Sequence, residues 1–382
     1  MQAETVQAFR RRFDGEPKVV VRAPGRINLM GDHTDYNQGF VLPMAINRSV
    51  WIAARPIPQH HIDVYAADYN ETACISLIDF SRKESSWKSY IQGVAWAAHE
   101  RGMEMPGWQG VVLSDLPIGA GLSSSAALET AVLSVDLVMA GIHMDPKEMA
   151  KIGQYAENRW VGMKCGIMDQ LASCCGQKDH VLFIDCQSME IQAVKMPTEI
   201  DVVIIDTRIK RELASSAYNV RREACRSAAE KCGVDSLRDM DVKRLDQCAR
   251  SLDSLLRKRA RHVVTENERT LEMVNALRDY NVEQIKSLMA ASHASLRHDF
   301  EVSCDELDHV VSCAENIQGC FGARMTGAGF GGCAVALVHR GTVDRLTQEL
   351  LACSRQQSFP IPEMYVCRAE QGAEIVLHRG AV

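Results

Sequence analysis

Residues 116–127 read L-P-I-G-A-G-L-S-S-S-A-A, and this short segment constrains the fold more than any other part of the chain. Hydrophobic patterning predicts a strand just before it and a helix over residues 124–140 just after it. The two glycines allow the backbone to bend so that its N–H groups converge, and the helix N-terminus adds a partial positive charge. The three consecutive serines add hydroxyl groups that bind phosphate or a metal ion. The segment therefore predicts a phosphate cradle, since an ordinary serine-capped helix needs only one glycine and one serine.

A second polar segment, residues 25–37, reads G-R-I-N-L-M-G-D-H-T-D-Y-N. It combines an arginine, two carboxylates, a histidine and amide side chains. Such groups donate and accept hydrogen bonds, which suits a ligand with many hydroxyl groups, such as a sugar. A metal site is a weaker interpretation, because one histidine between two aspartates is a poor ligand set. A solvated turn is a third interpretation of this segment taken alone.

A third segment, residues 327–332, reads G-A-G-F-G-G and matches the G-x-G-x-x-G pattern. In a dinucleotide-binding fold this pattern follows a strand and opens a helix. Here the next residues, C-A-V-A-L-V, predict a strand, and the sequence contains neither the other protein-kinase motifs nor a Walker motif. We therefore expect a tight, hairpin-like turn, whose glycines allow a ligand or another strand to approach the backbone.

The rest of the chain predicts an α+β protein, because strands and helices mix without a regular alternating repeat. A length of 382 residues favours two domains, and a connector at residues 195–198 places their boundary, which gives domains 1–197 and 198–382. Strands are predicted at residues 18–22, ended by A-P-G, and at 50–54, 110–113, 180–185, 201–206, 333–339 and 364–368. Further helices are predicted at residues 146–158, capped by Asp145, at 212–231, at positions between there and Asn316, and at 343–353.

Charge and hydropathy exclude several function classes. The chain carries 43 basic and 49 acidic side chains, a net charge of −6, which argues against a general binder of nucleic acids or anionic membranes. No window is apolar enough to predict a bilayer span, and the N-terminus resembles neither a signal peptide nor a transit peptide. We expect a cytoplasmic protein, a monomer, with small-molecule substrates.

Two residue types need their own interpretation. The 14 cysteines form no C-x-x-C pair and no zinc-finger block. We expect them to be reduced thiols that pack as small apolar side chains, which is typical of the cytosol. The basic run R-K-R-A-R at residues 257–261 is expected to be one solvated face of a helix.

Taken together, these segments resemble the GHMP kinase family, which includes galacto-, homoserine, mevalonate and phosphomevalonate kinases. G-R-I-N-L-M-G-D-H-T-D-Y resembles the galactokinase signature, L-P-I-G-A-G-L-S-S-S-A-A the phosphate loop of the family, and R-M-T-G-A-G-F-G-G-C-A its third motif. C-G-I-M-D-Q at residues 165–170 and S-S-A-Y-N-V-R-R at residues 215–222 also resemble galactokinase segments. The resemblance extends over residues 22–334 and implies two α+β domains, with the active site in the cleft between them.

The resemblance implies ATP-dependent phosphorylation of α-D-galactose at its anomeric hydroxyl, with ATP as co-substrate and Mg²⁺ as cofactor. It implies that Asp169 is the base on that hydroxyl and that Arg26 stabilises charge in the transition state. Ser125 and Glu157 are the implied magnesium ligands. The implied sugar contacts are Asp32, His33, Thr34, Asp35, Gly166 and Tyr218. The implied ATP contacts are Gly119, Ala120, Gly121, Leu122, Ser123, Ser124, Ser125, Trp87 and Tyr90.

One departure and two alternatives belong to this interpretation. Galactokinases most often have Glu at the position of Asp32, so the carboxylate here is one methylene shorter. A related sugar, such as N-acetylgalactosamine, arabinose or galacturonate, is an alternative substrate. A non-catalytic sensor of galactose and ATP is an alternative of another class, against which the intact set of implied catalytic and metal-binding residues argues.

Overall fold

The computed structural model describes residues 1–81, 83–84, 86–117, 119–209 and 214–379, with side chains from residue 217 onward in the last range. The strands are β1 Val19–Asn28, β2 Phe40–Val41, β3 Pro43–Pro56, β4 His61–Ala66, β5 Glu71–Ser76, β6 Trp108–Ser114, β7 His180–Asp185, β8 Glu190–Lys195, β9 Ile200–Asp206, β10 Cys320–Met325, β11 Cys333–His339, β12 Glu363–Cys367 and β13 Glu374–His378. The α-helices are α1 Gln2–Phe13, α2 Trp87–His99, α3 Ser124–Ala140, α4 Pro146–Ala156, α5 Met168–Cys175, α6 Ala214–Lys231, α7 Val242–Cys248, α8 Ser254–Arg278, α9 Val282–Ser295, α10 Asp305–Glu315 and α11 Val343–Gln356. Among the described helices, none combines the length and apolar character that a bilayer span requires.

The largest sheet has six strands in the order β13-β1-β3-β6-β4-β5. All neighbours in it are antiparallel except β4 and β6, which are parallel. Alternate residues of β1 point to opposite faces. Val19 and Val21 enter the main core with α2 and α3, whereas Val20 packs with Phe9 of α1 on the other face. The sheet is therefore covered by helices on both faces.

Two smaller sheets complete the fold. A three-stranded sheet, β2-β7-β8, packs its apolar face against α5. A four-stranded sheet, β10-β11-β9-β12, shares a second core with α6, α8, α10 and α11. The predicted domain boundary lies between β8 and β9, and it stays a prediction. The last strand, β13, returns to pair with β1 in the large sheet.

Several sequence predictions are confirmed by these elements. The helix at 124–140 and the strands at 180–185 and 333–339 have the predicted bounds. Asp145 caps α4 by accepting a hydrogen bond from Lys147 N, although α4 ends at Ala156 and a π-helical turn, Glu157–Val161, follows. The glycine-rich segment 327–332 lies in the turn between the antiparallel strands β10 and β11. Residues 212–213 of the predicted helix at 212–231 lie outside the described residues.

The prediction that the first strand stops at A-P-G is wrong. β1 continues to Asn28, with a bulge between Pro24 and Arg26. Proline donates no backbone hydrogen bond, but a bulge tolerates that loss. Beyond the bulge, Arg26 N donates to the carbonyl of Leu122 at 3.1 Å. The apparent stop signal therefore marks the point where β1 meets the phosphate segment.

The prediction that the cysteines are reduced is wrong for two pairs. Disulfides join Cys232 to Cys248 and Cys313 to Cys353. Each pair brings together two helices, α6 with α7 and α10 with α11, whose approach no local pattern reveals. In the basic run 257–261, residues 257, 258 and 261 are exposed as expected, whereas Arg259 and Ala260 are buried, and Arg259 pairs with Glu301.

Candidate active site

A cavity of about 980 Å³ opens between the large sheet and the four-stranded sheet. Arg26 in its wall belongs to β1, whereas Asp206 belongs to β9 and Tyr365 to β12. The phosphate segment and the start of α5 line one side, and the glycine-rich turn after β10 lines another. The fold therefore brings all three sequence motifs to one cavity.

The phosphate segment bends through its two glycines. Gly119 and Gly121 have φ angles of +78° and +79°, in the left-handed region that favours glycine. The helix α3 begins directly afterwards, at Ser124. The N–H groups of its first turn have no acceptor within the helix. The first turn of α3 lines the cavity, so its N–H groups are candidate donors to an anion there.

Ser123 differs from an ordinary N-cap serine. Its φ is +59°, and its side chain makes no capping hydrogen bond to α3. Its hydroxyl instead donates to Asp169 Oδ2 at 2.5 Å. Because the cap hydroxyl is directed elsewhere, the first-turn N–H groups of α3 stay available to an anion. This arrangement disfavours the interpretation as an ordinary serine-capped helix.

Arg26 and Asp169 form a two-point ion pair beside the phosphate segment. Arg26 Nε donates to Oδ1 at 2.8 Å, and Nη2 donates to Oδ2 at 2.7 Å. Arg26 Nη1 also donates to the carbonyl of Gly121 at 2.9 Å. The Arg26 side chain is 6% exposed and the Asp169 side chain 27% exposed. The carboxylate is therefore held in one orientation while part of it faces the cavity.

Glu157 and Ser125 lie together on another wall of the same cavity. Glu157 opens the π-helical turn after α4 and is buried. The nearby Ser125 hydroxyl favours the ionised form of the Glu157 carboxylate. Burial and the nearby negative charge of Asp169 raise the pKa of Glu157 to about 7. A site that disfavours negative charge in this way is one that a cation stabilises.

Gln170 holds Glu157 from the side away from the cavity. Its Nε2 donates to Glu157 Oε2 at 2.7 Å and to Glu129 Oε2 at 3.1 Å. Glu129 lies fully buried in α3, and its Oε1 has no hydrogen-bond partner among the described residues. Burial and the charge of Glu157 raise the pKa of Glu129 well above its usual value. Sequence analysis identified neither Gln170 nor Glu129 as a neighbour of Glu157, although Gln170 directly follows the implied catalytic residue Asp169.

A second cavity, of about 650 Å³, adjoins the first. Tyr90, Ser124 and Ser125 line both. Trp87 lies in the wall of the second cavity, where its ring stacks on Tyr69 with centroids 6.4 Å apart. The phosphate segment therefore lies between the ion pair of Arg26 and Asp169 and a second, aromatic cavity, which suits a flat heterocyclic base.

Asp35 and Gly166 meet in the sugar-motif part of the first cavity. The Asp35 carboxylate occupies the space that a Cβ on Gly166 would take, so a side chain there would displace it. Burial and the charge of Asp169 raise the pKa of Asp35 to about 6. Tyr218 of α6 lines the same cavity, with its ring 5.2 Å from that of Tyr36.

His33 also lines the cavity, but its two ring nitrogens are engaged with the protein. Nε2 lies 3.2 Å from the carbonyl of Ala328, which can only accept. The ring is therefore protonated at Nε2, and Nδ1 accepts from the Tyr36 hydroxyl at 2.9 Å. Burial and the neighbouring His262 lower the pKa of His33 to about 3, so the ring is neutral.

The carboxylate oxygens of Asp32 are also hydrogen-bonded to other groups of the protein. Its Oδ2 pairs with Arg324 Nη2, and its Oδ1 accepts from Gly327 N at 2.9 Å. The Arg324 and Asp32 side chains are 0% and 1% exposed. Arg324 also donates to the carbonyl of Leu29 at 2.9 Å and lies 3.6 Å from Glu266. The shorter Asp32 side chain therefore ties the first motif to the third, 292 residues away in sequence.

Some implied residues do not line the cavity. Thr34 is fully buried, and its hydroxyl lies 2.7 and 2.6 Å from the carbonyl oxygens of Gly31 and Phe40, to either of which it can donate. The Leu122 side chain is in the core, and its carbonyl accepts from Arg26 N. Both residues shape their loops. The Ser215 and Ser216 side chains of the implied galactokinase segment lie outside the described residues.

Other cavity residues were missed by sequence analysis. They come from β9, β12 and the segment after β9, and they are Asp206, Arg208, Glu363 and Tyr365. Arg208 Nη2 pairs with Glu363 Oε2 at 2.6 Å. No local motif distinguishes these residues, because only the pairing of β9 with β12 brings them to the cavity.

Comparison with known families gives three matches. A model of the galactokinase galactose-binding signature matches residues 7–56. The GHMP kinases N terminal domain matches residues 89–177, and the GHMP kinases C terminal domain matches residues 244–354. Galactokinases from Roseiflexus sp. and Haemophilus influenzae are 42% and 40% identical to the chain, over 98% and 97% of it and 97% and 98% of their own length.

Solved structures agree with these matches. The crystal structure of Lactococcus lactis galactokinase complexed with galactose is similar with a TM-score of 0.93 at 32% identity, covering 97% of this chain and 98% of that one. The crystal structure of Methanococcus jannaschii mevalonate kinase has a TM-score of 0.65 at 18% identity, covering 94% of this chain and 100% of that one. The second likeness concerns the fold alone.

Proposed function

Because this chain belongs to the galactokinase family of the GHMP kinases and phosphorylates galactose with ATP, we propose that Asp169 and Arg26 act directly in the transfer. The observation that carries this proposal is the ion pair between them, which lies where the phosphate cradle meets the sugar motif. Asp169 receives the proton of the anomeric hydroxyl as that oxygen attacks the γ-phosphorus of ATP. The bond between that phosphorus and the β–γ bridging oxygen breaks, and ADP leaves.

The chain binds ATP along the phosphate segment in this proposal. The phosphates accept hydrogen bonds from the N–H groups of residues 119–125, where the helix N-terminus favours negative charge. The adenine base lies near Trp87 and Tyr90 in the adjoining aromatic cavity. Phosphoryl transfer depends mainly on positioning and charge neutralisation, and the Arg26 guanidinium supplies both beside the transferred group.

Galactose occupies the part of the cavity next to Asp35, Gly166 and Tyr218. The Asp35 carboxylate accepts hydrogen bonds from sugar hydroxyls, and the absence of a side chain at Gly166 leaves it room to do so. Asp32 and His33 border this space, but their polar atoms bind Arg324, Gly327, Tyr36 and Ala328. We therefore assign Asp32 and His33 mainly to shaping the sugar site, and we leave Thr34 out of the sugar contacts.

The residues near the phosphates also fit a magnesium ion. Mg²⁺ prefers oxygen ligands, and the Glu157 carboxylate and Ser125 hydroxyl supply them. Burial and the charge of Asp169 raise the pKa of Glu157, and Oε1 of the nearby Glu129 has no hydrogen-bond partner among the described residues, so a cation here would stabilise the Glu157 carboxylate. Glu157 and Ser125 would hold the ion, and the ion when bound neutralises charge on the phosphates of ATP.

The cellular setting is also proposed. We place the enzyme in the cytoplasm, where ATP is supplied, and we expect a monomer. Galactose and ATP are its small-molecule substrates. The alternatives of another sugar or of a sensor are disfavoured, since the similar proteins are galactokinases over nearly their whole length.

The catalytic assignment is tested by separating binding from turnover. Arg26→Ala is expected to lower kcat for galactose with Mg²⁺-ATP in a coupled ADP-release assay, because Arg26 acts mainly in the transition state. Galactose affinity, measured by calorimetry without nucleotide, should change little. A sugar panel and 1-deoxygalactose, which lacks the acceptor hydroxyl, serve as controls. Near-normal kcat in a folded Arg26→Ala variant would refute the role of Arg26.

A further inference from the structure

His309, Cys313 and Cys353 form a compact cluster outside the active-site cavity. His309 and Cys313 are four residues apart on α10, so their side chains leave the same face of the helix, and Cys353 lies on α11. One ligand atom from each lies within 4.8 Å of the others. Among the residues that the structure describes, this is the one group of three histidine, cysteine or acidic side chains that meets this distance.

We propose that reduction of the Cys313–Cys353 disulfide converts this cluster into a Zn²⁺ site with three protein ligands. A dithiol reductant breaks the S–S bond, becomes a disulfide itself and leaves two protein thiols. Zn²⁺ then replaces the two thiol protons, so that two Zn–S bonds and one Zn–N bond form and two protons are released. The oxidised cluster, which the structure shows, has no thiolate to offer a metal ion.

The spacing already fits zinc on the histidine side. Cys313 Sγ lies 3.6 Å from His309 Nε2 and 3.7 Å from Nδ1. Tetrahedral geometry, with Zn–S bonds of about 2.3 Å and Zn–N bonds of about 2.0–2.1 Å, places sulfur and nitrogen roughly 3.6 Å apart. On reduction the two sulfur atoms must separate, to roughly 3.8 Å in the same geometry. The His309 ring must also turn, because Cys313 Sγ lies at nearly the same distance from both ring nitrogens. Cys353 is half-buried, so its side chain has room to rotate.

The histidine ring has the kind of second partner that a metal-binding histidine usually has. His309 Nε2 lies 3.2 Å from Ser354 Oγ, and the ring stacks on Phe359 with centroids 4.0 Å apart and planes at 6°. Metal-binding histidines usually donate their second ring N–H to such a partner. When Nε2–H donates to Ser354, the Nδ1 lone pair is free for the ion. Gln357 Nε2 donates to Cys353 Sγ at 3.6 Å, which stabilises a thiolate there.

A cavity of about 500 Å³ opens onto the cluster. It gives an ion a path from solvent and leaves a fourth position for water. Asp305 lies in the same wall, one helical turn before His309 on α10, and offers a carboxylate as an alternative fourth ligand. Thiolate and imidazole together favour zinc over the hard cations that the active site would hold.

The second disulfide, Cys232–Cys248, provides a matched control. It also joins two helices, and its Cα atoms are 5.5 Å apart against 6.4 Å for Cys313–Cys353. Within the described part of the chain, no histidine or acidic side chain completes a three-ligand group around it. The two pairs therefore differ in the feature on which the proposal depends.

The experiment uses the full-length protein, reduced with dithiothreitol and freed of reductant under nitrogen. Co²⁺ is titrated first, as a spectroscopic substitute for Zn²⁺, and Zn²⁺ is then added. About one equivalent of Co²⁺ should give thiolate-to-metal absorption in the near ultraviolet and tetrahedral bands in the visible, and Zn²⁺ should remove both. Zinc binding in weak buffer should release about two protons. The Cys232→Ser/Cys248→Ser variant should behave like the wild type.

Two variants and the oxidised wild type decide the ligand set. Cys313→Ser/Cys353→Ser should lose the near-ultraviolet band, and His309→Ala should weaken Zn²⁺ binding by at least about tenfold. Wild-type protein left oxidised should give neither signal. The absence of a thiolate–Co²⁺ band in reduced wild-type protein would overturn the proposal without any variant. An unchanged band in the Cys313→Ser/Cys353→Ser variant would overturn it too.

Discussion

Two arginine–aspartate pairs border the same cavity, and they differ in how far the carboxylate is closed off. In the pair of Arg26 and Asp169 the aspartate side chain is 27% exposed, whereas in the pair of Arg324 and Asp32 it is 1% exposed. Besides its arginine, Asp169 accepts a hydrogen bond from the Ser123 hydroxyl, while Asp32 accepts one from Gly327 N. The first carboxylate is oriented yet accessible. The second is enclosed, and it joins two distant segments of the chain.

This difference favours a catalytic role for the first pair and a structural role for the second, although one sequence motif contributes a residue to each. Arg26 and Asp32 are six residues apart, and the same resemblance implies a role at the substrate for both. A carboxylate that accepts a proton must reach the substrate oxygen. An enclosed ion pair makes little direct contact with a ligand. Removing one of its partners lowers the stability of the fold, because a buried charge loses its counter-ion. Four predictions test this contrast, beginning with the largest expected effect.

Replacing the accessible carboxylate should abolish most turnover. Asp169→Asn keeps an oxygen for Arg26 but loses the proton acceptor, so kcat for galactose should fall by about 10²–10⁴-fold. Galactose affinity should largely survive, because an amide still hydrogen-bonds to a hydroxyl. Steady-state ADP release and calorimetric galactose binding measure the two quantities. Near-normal turnover in folded Asp169→Asn would show that transfer needs no base at this position.

Replacing the enclosed carboxylate should lower stability instead. Asp32→Ala leaves the Arg324 guanidinium buried beside one fewer partner, and this should lower the free energy of unfolding by about 3–5 kcal/mol. Urea unfolding monitored by circular dichroism measures the loss. Asp32→Leu/Arg324→Leu, which removes both charges, should recover part of it. The opposite result would be an Asp32→Ala variant that unfolds at the wild-type urea concentration while its KM for galactose rises tenfold or more. That result would show that Asp32 contacts the sugar and would contradict the structural role assigned to it.

The two pairs also show what the sequence can and cannot predict. The helix over 124–140 and the strands at 180–185 and 333–339 are predicted with the observed bounds, because the signals that define them are local. The motif residues around Asp169 line one cavity, and their roles stay predictions. The partner of Asp32 lies 292 residues away, and the two disulfides join separate helices. Such contacts depend on tertiary packing, which no local period encodes.

The course of β1 shows the same limit at close range. A-P-G is a sound stop signal by itself, yet the strand continues through a bulge because β3 supplies its partners up to Pro43. Tertiary pairing overrides the local signal there. Arg26, which we propose acts in the transfer, lies directly after that bulge. Sequence analysis therefore misplaced the strand that carries Arg26.

The third prediction concerns the serine that orients the accessible carboxylate. Ser123→Ala removes a hydrogen bond to a charged group, which contributes about 1.5–3 kcal/mol and corresponds to roughly 10–150-fold in kcat. In the Asp169→Asn background the same substitution should have little further effect, since the charged acceptor is already gone. Kinetics of the two single variants and the double variant complete this cycle. Additive losses would place the Ser123 hydroxyl on the nucleotide rather than on Asp169.

The smallest expected effect is a pH dependence of galactose binding through Asp35. Burial and Asp169 raise the pKa of Asp35 to about 6, against a usual value of 3.8. Its contribution to stability is therefore greatest below about pH 4 and is lost as the pH rises through about 6, where the buried carboxylate ionises. Sugar binding has the opposite sign, because the ionised form accepts hydrogen bonds from the hydroxyls.

The galactose dissociation constant should accordingly increase by about tenfold between pH 7 and pH 5, as one proton competes with the sugar. Calorimetry without nucleotide measures it and avoids the effect of Glu157 on turnover. His33 does not contribute, since its pKa of about 3 keeps it neutral over this range. Asp35→Asn should bind more weakly at pH 7 and give a flat profile. If the galactose dissociation constant of Asp35→Asn still depends on pH in this way, another group titrates. The pH dependence of galactose binding would then come from that group rather than from Asp35.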